Sequence, residues 1–171
     1  MNSIMRQMPA WPYEEGNLIV KLPFSAQMAN WGIRLVAKGL SCKVEIDTVY
    51  FKGFEKVNAM KAGGALYFFT ETIFKSLSRD LIINCPCSPV LSGDEANLLT
   101  IISTSQSTSS QDIRDIFSEF LIPDALESAF TLAIDCGDAF LAAGLLLSVK
   151  NNSKTSDPTS LTKIIEGNIL H

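Results

Sequence analysis

Only one histidine occurs among the 171 residues, and it is the last, His171. Chain ends are where order is weakest. Ser-His-Asp and Cys-His catalysis both need a positioned imidazole as base, and a HExxH zinc helix needs two. Histidine-dependent mechanisms are therefore excluded, while carboxylate, lysine and thiol chemistry remain.

Long apolar runs are missing as well. The longest, AFLAAGLLL over 139–147, is far short of the about 20 residues that span a bilayer. A buried helix accounts for it, and no membrane partner is expected. Residues 1–16, MNSIMRQMPAWPYEEG, hold no apolar stretch of the about 7–15 residues in a secretory signal, so the expected location is cytoplasmic. Four cysteines at uneven spacing are too sparse for a disulfide-built scaffold, and reduced thiols are expected. Lysine and arginine form no cluster able to neutralise phosphates, so nucleic acid is not an expected partner. GxGxxG and GxxxxGK[ST] are absent. Lys61-Ala62-Gly63-Gly64 reads as a helix stop and turn rather than an anion loop.

What is present is a core. An apolar fraction of 47% beside 19% charged residues is that of a globular chain. One domain is expected over 1–149, with a mixed half at 1–84 and a helical half at 88–149, followed by a linker and short tail at 150–171. Charge divides along the same line. Residues 1–80 carry ten Lys+Arg against seven Asp+Glu, net +3, and residues 81–171 carry four against eleven, net −7. Between Leu81 and Val149 the one cation is Arg114, against nine carboxylates. Such a face suits solvent, or it meets something basic: a protein partner, the chain's own first half, or a second copy.

Helical signals are clearest in the second half. Ser92-Gly93-Asp94-Glu95 fits a capping box for a helix over about 93–104, with Leu98, Leu99 and Ile102 on one side. STSQSTSSQ at 103–111 reads as an exposed connection. Ile113, Ile116, Phe117, Phe120 and Leu121 form one amphipathic stripe. Pro123 suits the first residue of the next helix, whose stripe is Leu126, Ala129, Phe130 and Ala133. Cys136-Gly137 reads as a break. Asp138–Ser148, apolar nearly all round, reads as the centre of a bundle, with Gly144 placed for a close helix crossing.

In the first half, Met28, Trp31, Leu35 and Val36 suggest a helix over about 26–38 stopped at Gly39. Leu66, Phe69, Thr70, Ile73 and Leu77 suggest another after Gly63-Gly64. Val44, Ile46, Thr48 and Tyr50 alternate as in a strand, and LIVKL (18–22) and LIIN (81–84) are short strand candidates. The expected fold class is therefore α+β and helix-dominated: a small N-terminal sheet with covering helices, and a C-terminal helical bundle. All-α is the alternative.

For chemistry, NCPCSP at 84–89 stands out. Two prolines stiffen it, which fits a structural loop whose cysteines pack as small hydrophobes. In an extended segment Cys85 and Cys87 point to the same side and present a thiol pair. A tetrahedral zinc ion wants four ligands, and Cys42 and Cys136 are the remaining thiols. Asp135 and Asp138 share a helical face but also suit a cap. Trp11, Tyr13, Phe24 and Trp31 suit the lid of a core, an oligomer contact or an aromatic-lined pocket. Beyond the linker NNSKTSDPTS, Leu161, Ile164 and Ile165 form a short apolar stripe for docking on this domain or a neighbour. These features favour a non-catalytic, self-associating interaction or regulatory module, with an acidic helical face for a basic protein partner and with Leu161, Ile164, Ile165, Trp11 and Trp31 as contact residues. A metal- or thiol-dependent protein using Cys85 and Cys87 is one alternative, and a small apolar-ligand binder is the other.

Overall fold

The computed structural model describes residues 12–107 and 110–147. Trp11 and the tail residues Leu161, Ile164 and Ile165 lie outside them. Six helices follow in order: α1 (Phe24–Cys42), α2 (Asp47–Lys56), α3 (Met60–Lys75), α4 (Gly93–Ser105), α5 (Ser110–Ser118) and α6 (Leu126–Ala142). Single 3₁₀ turns at Ile19–Lys21 and Pro123–Ala125 precede α1 and α6. Helix α3 packs on α6, α1 and α2, and α4 packs on α6, α5 and α1. The buried side chains of both halves join in one cluster running from Tyr13 to Leu147. No helix among the described residues is long and apolar enough to cross a membrane.

The α+β expectation is overturned. No strand forms among the described residues, only the isolated bridges Leu18–Val90 and Leu77–Leu121, so the all-α alternative describes the molecule. Each strand candidate went elsewhere for its own reason. Helix α1 runs through Gly39 to Cys42 and ends at Lys43, the left-handed residue at φ 52°. Of the alternating set that follows, Ile46 and Tyr50 are buried and Val44 and Thr48 are exposed. Four is a multiple of two, so residues spaced for a helix also fit an alternating pattern. Phe54 continues the spacing at four and is fully buried, and it decides for helix α2. LIVKL closes into the 3₁₀ turn.

LIIN forms no strand and finds no partner strand. Its backbone is satisfied by α4 side chains instead: the Ile82 N–H donates to Asp94 Oδ2 at 2.7 Å and the Asn84 N–H to Glu95 Oε1 at 3.0 Å. Buried backbone groups need partners, and two carboxylates at a helix start supply what a neighbouring strand would.

The glycines exchange the expected roles. Lys61-Ala62-Gly63-Gly64 lies inside α3 rather than at a stop, and Tyr50 Oη donates to the Gly63 carbonyl at 2.7 Å. Helix α6 runs unbroken through Cys136-Gly137, and a Cβ on Gly137 would fall on Ser105 Oγ. That is the close crossing. Gly144, at φ +75° with open space around it, lies two residues past α6 and ends it in the left-handed conformation. Its neighbours Leu141, Ala142 and Leu146 are exposed, so the bundle centre is α4. There Leu98, Leu99, Ile101 and Ile102 are all at most 1% exposed.

Other helical expectations hold. The capping box at Ser92 is complete, with Glu95 N–H donating to Ser92 Oγ and Ser92 N–H to Glu95 Oε2. Ile113, Ile116, Phe117, Phe120 and Leu121 are buried together, but α5 ends at Ser118, so Phe120 and Leu121 join the core from the turn that follows it. The start of STSQSTSSQ is less exposed than its polarity suggests, since α4 continues to Ser105, and Ser103 and Ser105 are buried.

Candidate functional site

A single buried ion pair organises the cysteine loop. Arg34, in the middle of α1, donates from Nε to Glu95 Oε1 at 2.7 Å and from Nη2 to Glu95 Oε2 at 3.0 Å. The two side chains are 2% and 0% exposed. The same guanidinium donates to the carbonyls of Ser88 and Val90, each at 2.8 Å. Asn84 Nδ2 adds a bond to the Val90 carbonyl at 3.0 Å. Planar, multi-donor arginine suits this work: one side chain fixes a carboxylate on one helix and two carbonyls of a loop. A second pair forms at the neighbouring residue of α4, with Arg79 holding both oxygens of Asp94 at 3.1 and 2.7 Å. Asp94 and Glu95 thus turn inward to cations of the first half. Asp115, Glu119, Asp124, Glu127, Asp135 and Asp138 stay on the surface.

Within this frame NCPCSP forms a turn rather than an extended segment. The Ser88 N–H donates to the Cys85 carbonyl at 2.8 Å, and Pro86 occupies the second turn position, which its fixed φ favours. The turn brings Cys85 Sγ and Cys87 Sγ to 2.8 Å. Both residues are exposed. The hydrophobe reading therefore fits Cys136, which is fully buried in α6, and not this pair. Donation from the Cys87 thiol and backbone N–H holds the Cys85 thiol below its ordinary value of 9.0, helped by the charges of Lys38 and Arg34. The Cys87 thiol, donating that hydrogen bond, is pushed up. Of the two thiols Cys85 is thus the one that ionises more readily, with a second thiol beside it.

Of the four thiols read as a zinc set, the structure brings together Cys85 and Cys87. Cys42 lies exposed at the end of α1 and Cys136 is buried. Among the described residues, no group of three or more His, Cys, Asp or Glu side chains is placed to hold a metal ion. Asp135 and Asp138 are exposed on α6 without forming such a group.

The turn separates two hollows. One, of about 310 Å³, lies beside Cys85 and is lined by Lys38, Ser41, Phe74, Leu81 and Ile83, among others. The other, of about 480 Å³, lies beside Cys87 and is lined by Ile19, Val20, Phe24, Met28 and Trp31. Phe24 and Trp31 from the aromatic set thus face the groove, Trp31 also stacking on Tyr50 at 6.1 Å. Tyr13 is instead buried, its hydroxyl donating to the Leu147 carbonyl. Two residues escaped sequence reasoning. Lys38 carries no motif. Arg34 had one signal: a cation between Ile33 and Leu35, in the apolar part of an amphipathic helix.

No protein-family model, curated protein or solved structure matches the chain.

Proposed function

We propose that this chain is a dithiol redox protein acting through Cys85 and Cys87. The observation that carries the reading is the 2.8 Å approach of two exposed sulfurs on a turn held by a buried ion pair. A disulfide bond is about 2.05 Å long, so closure needs a shift of less than about 1 Å. The Cys85 thiolate attacks a disulfide substrate, forming a mixed disulfide and releasing one thiol. Cys87 then loses its proton and attacks Cys85 Sγ, releasing the second thiol and leaving the Cys85–Cys87 disulfide. Two protein thiols are oxidised and one substrate disulfide is reduced to two thiols. Closing so small a ring is strained, which makes the disulfide easy to reduce and the couple oxidising.

The test uses a Cys42→Ser variant equilibrated against graded ratios of reduced and oxidised glutathione, with peptide mass spectrometry after acid quenching. An intramolecular Cys85–Cys87 disulfide that forms and reverses at a defined ratio supports the reading. Mixed disulfides that never resolve, or disulfides only between molecules, overturn it.

A second reading, a self-associating interaction module, is favoured by Val20 and Phe24, 78% and 55% exposed around the second groove. Sedimentation velocity decides this reading. A dimer lost in Phe24→Asp supports it, and a monomer at all concentrations overturns it. The exposed carboxylates of α5 and α6 suit a basic segment as partner. A lysine-rich peptide should then shift amide resonances over 112–138 and not elsewhere.

A further inference from the structure

We infer that the hollow beside Cys85 is a binding site for a small disulfide or thiol bearing a carboxylate, which Lys38 recognises. This rests on the dithiol reading and adds the class of substrate.

Three observations carry it. The first is position. Cys85 lines the 310 Å³ hollow, Cys87 lines the second one, and Arg34 and Pro86 border both. Thiol–disulfide exchange is a displacement at sulfur, in which the attacking and leaving sulfurs lie on opposite sides of the one attacked. With Cys87 outside the lining of the hollow, a molecule joined to Cys85 there leaves Cys87 free to attack Cys85 Sγ and send it back out. The second is size. About 310 Å³ is at the small end of ligand sites, with an apolar floor of Phe74, Leu81 and Ile83 and polar groups from Ser41 and Asn84. That suits a small molecule rather than a protein segment.

The third is charge. The two cations lining the hollow are Arg34 and Lys38. Arg34 is neutralised by Glu95. Lys38 is exposed, has no ion pair among the described residues, and is close enough to attract the Cys85 thiolate. The hollow therefore presents one uncompensated positive charge next to the nucleophile, where a substrate carboxylate gains most.

The experiment measures the rate of Cys85–Cys87 disulfide formation in the Cys42→Ser protein with three oxidants. They are glutathione disulfide (anionic), hydroxyethyl disulfide (neutral) and cystamine (cationic). Each rate is compared with that of the same protein carrying Lys38→Glu. A factor common to all three oxidants reports the Cys85 thiolate, which Lys38 also influences. The differences between them report the hollow. After dividing out the neutral oxidant, glutathione disulfide should slow by about fivefold for each of the two units of charge that Lys38→Glu changes, and cystamine should speed up by a similar factor, the scale of close charges in water. Both effects should fade with added salt. Equal change for all three oxidants, or none, overturns the inference and leaves the dithiol reading standing. Failure of every oxidant to close the Cys85–Cys87 bond overturns both.

Discussion

Arg34 on α1 and Glu95 in the first turn of α4 meet at 2.7 Å with almost no solvent contact, 61 residues apart in the chain. Glu95 is at once the partner of that arginine, the acceptor for the Asn84 N–H and the second half of the Ser92 capping box. Removing one member of a buried pair leaves an unpaired charge, at a cost of about 3–5 kcal/mol. Arg34→Met and Glu95→Gln should each destabilise the fold by that order in urea titrations. The double variant should lose clearly less than the two together, because neither charge is then stranded.

Arg34 also holds the Ser88 and Val90 carbonyls, so its removal should loosen the turn. Any Arg34→Met protein that remains folded should close the Cys85–Cys87 disulfide more slowly than wild type. Peptide mass spectrometry on quenched samples reads this directly.

Asp94 gives a pH-dependent term. Burial alone would raise its carboxyl, but the Arg79 guanidinium and the Ile82 N–H together outweigh burial and hold it below its ordinary 3.8. A carboxylate depressed in the folded state stabilises above the unfolded value, and that contribution is lost as pH falls through the folded one. Asp94→Asn should therefore cost about 1–2 kcal/mol at neutral pH, modest because Arg79 is 43% exposed. The gap to wild type should shrink as pH drops below about 4, seen in denaturation midpoints across pH.

Gly137 and Gly144 should respond differently to alanine. At Gly137 the new methyl meets Ser105, whose backbone carbon is 3.0 Å away, so α4 and α6 must separate at about 1–3 kcal/mol. At Gly144 there is room, and the cost of about 1 kcal/mol is conformational, from φ +75°. Adding Ser105→Gly should recover part of the first loss and none of the second in thermal melts.

The thiols should separate by environment. Cys42, Cys85 and Cys87 are exposed, while burial pushes Cys136 well above any ordinary thiol. Native protein should titrate three thiols with a disulfide reagent and release the fourth only on unfolding. In pH-dependent alkylation Cys85 should react at lower pH than Cys87, and Cys87→Ala should move the Cys85 profile upward by removing its donor.

Local chemistry alone determined much of this molecule. The Ser92 box started α4 where expected, because a cap needs only four consecutive residues. Ile113, Ile116 and Phe117 marked a buried face, because repeats of three and four fit one side of one helix. Tertiary structure decided the rest. Ile46 and Tyr50 satisfied two periods, and only the core around Phe54 chose between them. LIIN looked like a strand, but its partners are carboxylates on α4 that no local pattern reveals. Gly137 and Gly144 are alike in sequence, and only the position of Ser105 separates a crossing from a stop. The cysteines of NCPCSP were visible from the outset. Their approach depends on a turn whose carbonyls are held by Arg34, more than 50 residues away in the chain. Spacing along a chain encodes contacts within a turn or a helix, whereas an ion pair between distant helices exists only once the core has brought them together.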